Sequence, residues 1–309
     1  SPRVIERALD AAKAVAIPLD REVIHILPQE YIVDDQRGIA DPMGMAGVRL
    51  EVKVHIVTGA VTSAQNIVRS CHKSGLDVSD IVLESLASAK AVLTEEEREI
   101  GVALIDLGGG TCDIAIFAND SIKHTGVLAL GGQNLTNDIA FGLRTPMAAA
   151  EKIKIKHGAA IAEMVRPDEY IEVPSVGGRE PRRLSRQVLA EICEPRMEEI
   201  LTLLDQELVR SGLKNMIGAG VVLTGGTALI QGCQELGEQV FNLPTRIGYP
   251  RNVGGLKDMV NSPKFATAMG LLRFGAEKEG MEQKFRIRSD GNVFNSILSR
   301  MKKWFSEIS

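Results

Sequence analysis

Apolar positions change their spacing several times along the chain, and each change marks an element. At residues 3–16 they recur at Val4, Ile5, Ala8, Leu9 and Ala12, the spacing of an amphipathic helix that stops before Pro18. Val23–Leu27 and Tyr31–Val33 read as short strands. Arg37–Gly47 reads as a loop, and Val48–Thr58 alternates like a strand. Residues 62–74 are helical and close on Gly75, Ile81–Leu83 is strand-like, and Leu86–Leu93 is a short helix. Thr94 and Glu97 then have capping-box spacing. The run GVALIDLGGGTCDIAIF from Gly101 reads as strand, glycine turn, strand, and a third strand at His124–Leu130 ends on Gly131 and Gly132. Residues 133–143 and 146–157 are helical, Tyr170–Val173 is strand-like, and a long helix covers 185–211. AGVVLTGGTALIQGCQEL is strand, glycine turn, helix, and FATAMGLLRFGAEKEG is a helix running into a charged linker at 277–291. Strands and helices mixed at these intervals predict an α/β protein.

The last eighteen residues stand apart. Val293, Phe294, Ile297, Leu298, Met301, Trp304, Phe305 and Ile308 fall on one stripe of a helix over 292–309, with Arg300, Lys302 and Lys303 at its edges. Trp304 is the only tryptophan of the chain. Net charge is −4 over 309 residues, yet the segment from Lys284 onward is +4, which leaves −8 on residues 1–283. An acidic body with a basic tail argues against a nucleic-acid binder and for a tail that meets an anionic surface. The preferred reading is a helix lying in a membrane surface, with Trp304 at the headgroup boundary; packing on the core or in a partner's groove are the alternatives. No apolar run is long enough to span a bilayer, and no signal peptide is visible. Cys71, Cys112, Cys193 and Cys233 show no metal spacing and read as reduced thiols.

Three features carry candidate chemistry. Asp106 precedes Gly108, Gly109, Gly110 and Thr111 between two strands, where glycine lets backbone N–H groups approach phosphate; a ligand-free hairpin is the alternative. Gly225, Gly226 and Thr227 lie between a strand and a helix, as in a nucleotide site or a plain βα turn. Glu151 and Lys154 share one helix face, which suits ribose hydroxyls and phosphate but is also ordinary for a surface ion pair.

The order of these features, closed by Ala266 and Gly270 in A-x-x-x-G, resembles the second half of the actin-like ATPase fold. The stretches VIHILPQEYIVDDQRGIADPMGMAGVRLEVKVHIV, TEEEREIGVALIDLGGGTCDIAIF, AEKIKIKHG, EVPSVGGREPRRLSRQVLAEICEPR and VVLTGGTALIQG further resemble the FtsA family of bacterial cell-division proteins, over residues 3–276. That resemblance implies an actin-like protein that tethers FtsZ to the cytoplasmic face of the inner membrane at midcell, polymerises, meets other divisome proteins and is at most a weak ATPase. It implies ATP and Mg²⁺ as cofactors. Gly108, Gly109, Gly110 and Thr111 would hold the β- and γ-phosphates, and Asp106 would position Mg²⁺ through water. Gly131 and Gly132 would lie near the nucleotide, Glu151 and Lys154 at the ribose, and Gly225, Gly226 and Thr227 at the adenosine.

Glu84 falls where relatives orient the attacking water, though it also reads as a carboxylate favoured at a helix N-terminus. The basic run Arg179, Arg182, Arg183, Arg186 and Arg196 would dock the FtsZ C-terminal peptide, or else is a solvated surface. The implied layout is subdomain 1C at 1–53, later 1A at 54–100, 2A at 101–132 and 218–276, 2B at 133–217, then the linker and membrane helix. A further segment of about a hundred residues, carrying the first phosphate hairpin, is expected ahead of Ser1 from the family's size. The rival readings are a pilus-assembly or chaperone-type actin-like ATPase and, less fittingly, a sugar kinase. The chaperone type needs a β-rich substrate domain after the last helix, and the pilus type needs no membrane helix.

Overall fold

The computed structural model describes residues 2–177, 179–252 and 260–289, so the stripe over 292–309 lies outside the described residues. The chain opens with α1 (Pro2–Lys13), then β1 (Arg21–Val33), β2 (Gln36–Ile39) and β3 (Leu50–Ala60), which form an antiparallel sheet in the order β2-β1-β3. Helices α2 (Val61–Lys73), α3 (Glu84–Val92) and α4 (Glu95–Ile100) follow. A five-stranded sheet comes next, in the order β10-β9-β4-β5-β6. Its members are β4 (Val102–Leu107), β5 (Cys112–Ala118), β6 (Ser121–Leu128), β9 (Val221–Thr224) and β10 (Thr245–Ile247). The β4–β5–β6 half is antiparallel and β4, β9 and β10 run parallel. Between β6 and β9 lie α5 (Gly132–Leu143), α6 (Met147–His157), the hairpin of β7 (Tyr170–Val173) and β8 (Arg182–Ser185), and α7 (Arg186–Arg210). α8 (Cys233–Phe241) separates β9 from β10, and α9 (Ala266–Ser289) comes last.

Every position of β4 and β5 is buried, because the sheet is covered on both faces. On one face Ala103, Ile105 and Leu107 pack with Leu135 and Ile139 of α5 and with Leu189 and Met197 of α7. On the other, Val102, Leu104, Ala115 and Phe117 pack with Ala91 and Val92 of α3 and Ala266 of α9. Side chains alternate along a strand, so Asp106 and Asp113 fall on the α3/α9 face, in step with Leu104 and Ala115.

Helix α3 is pinned to this body at its C-terminal end. Arg273 Nη1 donates to the Lys90 carbonyl at 2.8 Å and Arg246 Nη2 to that of Val92 at 3.0 Å, so two guanidiniums satisfy carbonyls that a helix end leaves open. Arg246 also grips Glu97 at 2.6 and 2.8 Å, and Glu97 completes the capping box with Thr94 that the spacing predicts. At the crossing of α3 and α9, a Cβ on Gly270 would come within 1.7 Å of the Ala87 carbonyl, so the two backbones touch where only glycine fits.

Several expectations are corrected. The two short strands are one strand, β1, with register shifts at Val23/His25 and Pro28/Glu30. Pro28 lies within it at a bulge, where its missing N–H breaks no regular ladder. The expected loop contains β2, turned back by Asp34 at φ +54°. Ile81–Leu83 is no strand; Leu83 is the N-cap residue of α3. The last helix continues into the expected linker as far as Ser289, for Ala276–Lys284 holds helix formers apart from Gly280 and no proline.

Candidate functional site

The turn after β4 is the centre of the site. Gly108 N donates to the Thr111 carbonyl at 3.0 Å, closing the hairpin. Its outer side is stitched to the start of α5 and to the turn after β9. The Gly108 carbonyl accepts from Gly132 N and from Thr227 Oγ1, both at 2.9 Å, and the Gly109 carbonyl accepts from Gln133 N at 2.7 Å. With the carbonyls occupied in this way, the N–H groups of Gly109, Gly110 and Thr111 have no acceptor among the described residues. A Cβ on Gly109 or Gly110 would meet nothing within 4 Å, so the turn borders open space.

The other glycines permit close approach. A Cβ on Gly131 would stand 2.7 Å from the Gly109 carbonyl, and one on Gly132 would stand 2.4 Å from Thr227 Oγ1. Gly225 has φ +88°, and a Cβ there would lie 2.4 Å from Asp106 Oδ1. The structure therefore brings the three glycine stretches of the sequence together. A pocket of about 320 Å³ opens beside them, lined by Gly109, Glu151, Lys154, Gly226, Thr227 and Lys264, with Ile155, Leu229 and Ile230 as apolar wall. That size and mixture suit a small ligand with a planar apolar part and an anionic part.

Glu151 and Lys154 are neighbours on α6, as their spacing predicts. Lys154 is buried, and Nζ donates to the Gly132 carbonyl at 2.9 Å, Thr136 Oγ1 at 2.8 Å and Glu151 Oε2 at 2.7 Å. An ammonium has three protons, so its donor capacity is filled internally. Burial raises the Glu151 carboxyl, but the hydrogen bonds from Lys154 and Thr136 outweigh it and hold the group below the ordinary range. Lys154 thus fixes the turn at Gly132 and orients Glu151, the more exposed of the two.

Facing the hairpin are three carboxyls. Asp106 and Asp113 sit directly opposite each other on β4 and β5, and both are buried. Asp106 Oδ2 accepts from Ser88 Oγ of α3 at 2.6 Å and from Thr267 Oγ1 of α9 at 3.3 Å. Asp113 Oδ2 accepts from Thr111 Oγ1 at 3.2 Å. Glu84, first residue of α3, keeps part of its surface in solvent. Burial pushes all three carboxyls up; the charge of Asp106 adds to this at Asp113, and those of Asp113 and Asp106 add to it at Glu84. Such mutual repulsion favours a cation or hydrogen-bonded water between them. Among the described residues no group of three or more acids, histidines or cysteines could itself ligate a metal. A magnesium ion needs only one or two protein carboxylates when phosphates and water complete its shell, so the donor set fits Mg²⁺ held through water.

Ser88, Thr267 and Asp113 escaped the sequence reading. Ser88 stands four residues after Glu84 on one helix face, and Asp113 stands two residues after Thr111 at the start of β5; both spacings were visible. Thr267 had no local signal beyond its place beside Ala266.

The arginines lie elsewhere and are engaged within the chain. Arg182 donates to the Leu143 carbonyl. Arg186 binds the His157 carbonyl at 2.8 Å, Glu169 at 2.5 Å and Gln231. Arg196 binds Asp138 at 2.5 Å and also Glu199. Arg182, Arg186 and Arg196 are therefore staples between α5, α6, α7 and the β7–β8 hairpin as much as a charged surface.

Comparison with known proteins agrees with this geometry. The family model described as "Cell division protein FtsA" matches residues 103–270, and the "SHS2 domain inserted in FTSA" matches residues 1–58. The chain is 50% identical over 310 residues to the cell division protein FtsA of Pseudomonas aeruginosa, covering 98% of this chain and 74% of that one. It is 42% identical over 308 residues to that of Escherichia coli, covering 97% and 73%. Solved structures share the fold. MreB5 of Spiroplasma citri bound to ADP superposes with a TM-score of 0.58 at 21% identity, over 72% of this chain and 68% of that one. The PilM–PilN type IV pilus biogenesis complex gives 0.59 at 16% identity, over 88% and 72%. The pilus-type reading thus shares the architecture alone. The fold is that of the actin-like ATPases, and the chain belongs to the FtsA family of cell-division proteins.

Proposed function

We propose that this protein binds ATP with Mg²⁺ in the glycine-turn cleft, polymerises as actin-like proteins do, and tethers FtsZ filaments to the cytoplasmic face of the bacterial inner membrane at midcell, where further divisome proteins assemble on it. The observation that carries the nucleotide part is the hairpin at Gly108–Thr111. Its carbonyls are tied back, and three successive N–H groups are left beside an open pocket, the donor array that anionic oxygens need. In this reading Gly108, Gly109, Gly110 and Thr111 hold the β- and γ-phosphates, Glu151 faces the ribose with Lys154 as its anchor, and Gly225, Gly226 and Thr227 flank the adenosine. Bound Mg²⁺ would neutralise phosphate charge beside Asp106, and Glu84 would orient a water.

Family membership supports the adaptor role. Residues 1–53 are assigned to subdomain 1C, in keeping with the insertion-domain match over 1–58. The FtsZ tail peptide is assigned to the face carrying Arg182, Arg186 and Arg196. Arg196 is better placed than Arg186, since its side chain is 27% exposed against 13%. Docking there means exchanging Asp138 or Glu199 for a carboxylate of the peptide. The lipid contact is assigned to the stripe of Phe294, Ile297, Leu298, Met301, Trp304 and Phe305 with Arg300, Lys302 and Lys303. One such helix binds reversibly, and a polymer presenting many of them gains avidity.

The test is a pelleting assay with anionic liposomes, FtsZ filaments, Mg-ATP and the protein as its gene encodes it. Wild type carries FtsZ into the vesicle pellet. Trp304→Glu leaves both proteins in the supernatant, and Arg196→Glu leaves only FtsZ there. A wild-type pellet without FtsZ, or an unchanged pellet with Trp304→Glu, overturns the tethering reading.

A further inference from the structure

We propose that Ser88 and Thr267 are positioning residues for Asp106: their hydroxyls fix one carboxylate oxygen so that the other is presented to a hydrated divalent cation. This rests on the nucleotide reading above and extends it to the two helices, α3 and α9, that supply the hydroxyls.

The two oxygens of Asp106 have different surroundings. Oδ2 takes both hydrogen bonds, from Ser88 Oγ at 2.6 Å and from Thr267 Oγ1 at 3.3 Å, and the two hydroxyls are 3.0 Å apart. Oδ1 accepts no hydrogen bond from the described residues and lies against Gly225, the first glycine of the second turn. One oxygen is held and the other faces the site. A carboxylate with both oxygens free would rotate about its Cβ–Cγ bond, which is a broad and soft torsion. Two donors converging on Oδ2 set that torsion.

Ser88 has no other use for its hydroxyl. The residue is fully buried on α3 among Ala87, Ala89 and Ala91, where alanine is the better helix former and an unbonded hydroxyl is costly. Its polarity is accounted for by Asp106 and Thr267. Thr267 comes from α9, one turn before Gly270, and Ser88 follows Ala87, the residue on which Gly270 packs. Both hydroxyls therefore stand at the tightest point of the helix crossing. The crossing is rigid because α3 is also pinned by Arg246 and Arg273. Asp106 is thereby registered against two helices as well as against its own strand.

The experiment measures binding of a fluorescent ATP analogue to the protein as its gene encodes it, in Mg²⁺ and in EDTA. The variants are Ser88→Ala, Thr267→Val and Thr267→Ser. Thr267→Val keeps the side-chain shape, so it separates a lost hydrogen bond from a lost fold. The expected result for Ser88→Ala is a loss of about tenfold in affinity with Mg²⁺ and less than about twofold in EDTA. Thr267→Val gives a smaller loss of the same kind, and Thr267→Ser restores it. Affinity that falls equally in Mg²⁺ and EDTA for both Ser88→Ala and Thr267→Val marks a general packing effect and overturns the proposal, as does no change in either. A wild type that binds in neither condition overturns the nucleotide reading itself.

Discussion

In the five-stranded sheet β4 and β5 are buried at every position, whereas in the three-stranded sheet only Tyr31 and Val33 of the thirteen β1 residues are buried. Both contain Val, Ile and Leu. What differs is the cover: helices lie on both faces of the first, and the described residues leave much of the second half-wet. Close packing on both sides lets the first hold two carboxyls, Asp106 and Asp113, in a fixed relation to a glycine turn. A half-covered sheet cannot fix side chains in that way, and none of the candidate site residues comes from β1, β2 or β3.

The sharpest way to break this contrast is a methyl group on a glycine from each region. Gly270→Ala drives Cβ into the Ala87 carbonyl, and backbone cannot yield as a side chain can. A cost of about 2–4 kcal/mol is expected, with the helix crossing spread and Asp106 displaced. Gly38→Ala in β2 meets no atom within 4 Å and suffers only from its φ of +74°, a cost of about 1 kcal/mol. Denaturant unfolding of the two variants checks the order. Equal costs would mean that the α3/α9 contact is not tight.

Large-to-small substitutions in the strands make a second comparison. Leu104→Ala empties a fully buried position and should cost about 2–5 kcal/mol. Ile26→Ala in β1 removes a half-buried side chain and should cost roughly 1–2 kcal/mol, because solvent fills part of the gap. A Leu104→Ala cost as small as that of Ile26→Ala, read from the unfolding midpoint, would show that the inner sheet is not close-packed.

What the sequence disclosed follows the same division. Runs such as VALIDL and CDIAIF announced the inner strands because burial on both faces leaves them apolar apart from the two aspartates of the site. The Thr94–Glu97 box and the glycine stretches were legible because capping and close backbone approach demand particular residues at fixed spacing. β1 read as two short strands, since a bulge is set by the partner strand and leaves no mark in one sequence. In the site, Asp106 stood out beside its glycines, but Thr267 lies 161 residues away and reaches Asp106 only through the helix crossing. The commitment of Lys154 to three internal acceptors was equally invisible, for the Gly132 carbonyl and Thr136 are on another helix. Local chemistry can be read from spacing, whereas a contact between distant segments needs the fold.

The smallest expected effect is on pH dependence, and it separates strained charges from satisfied ones. Asp106, Asp113 and Glu84 have carboxyls raised by burial, with mutual repulsion adding to it at Asp113 and Glu84. A carboxyl whose folded pKa lies above its unfolded value binds its proton more tightly in the folded state. Its contribution to stability therefore falls as pH rises from the ordinary carboxylate range through the raised value. Glu97 is the opposite case: burial raises it, but the hydrogen bonds from Arg246 and the Thr94 backbone bring it below the ordinary range. The stability it confers is present at neutral pH and is lost as pH falls through that lowered value. Asp113→Asn keeps the side-chain shape and removes one charge opposite Asp106, so it should stabilise the nucleotide-free protein near neutral pH by about 1 kcal/mol or less. That gain should vanish in acid, where the wild-type carboxyl is already neutral. Glu97→Gln should instead destabilise at neutral pH, by an amount that shrinks in acid. Unfolding by denaturant across the acid-to-neutral range measures both. A loss of stability for Asp113→Asn at neutral pH would mean that the carboxyls facing the hairpin do not repel one another, and that a cation is not needed to relieve them.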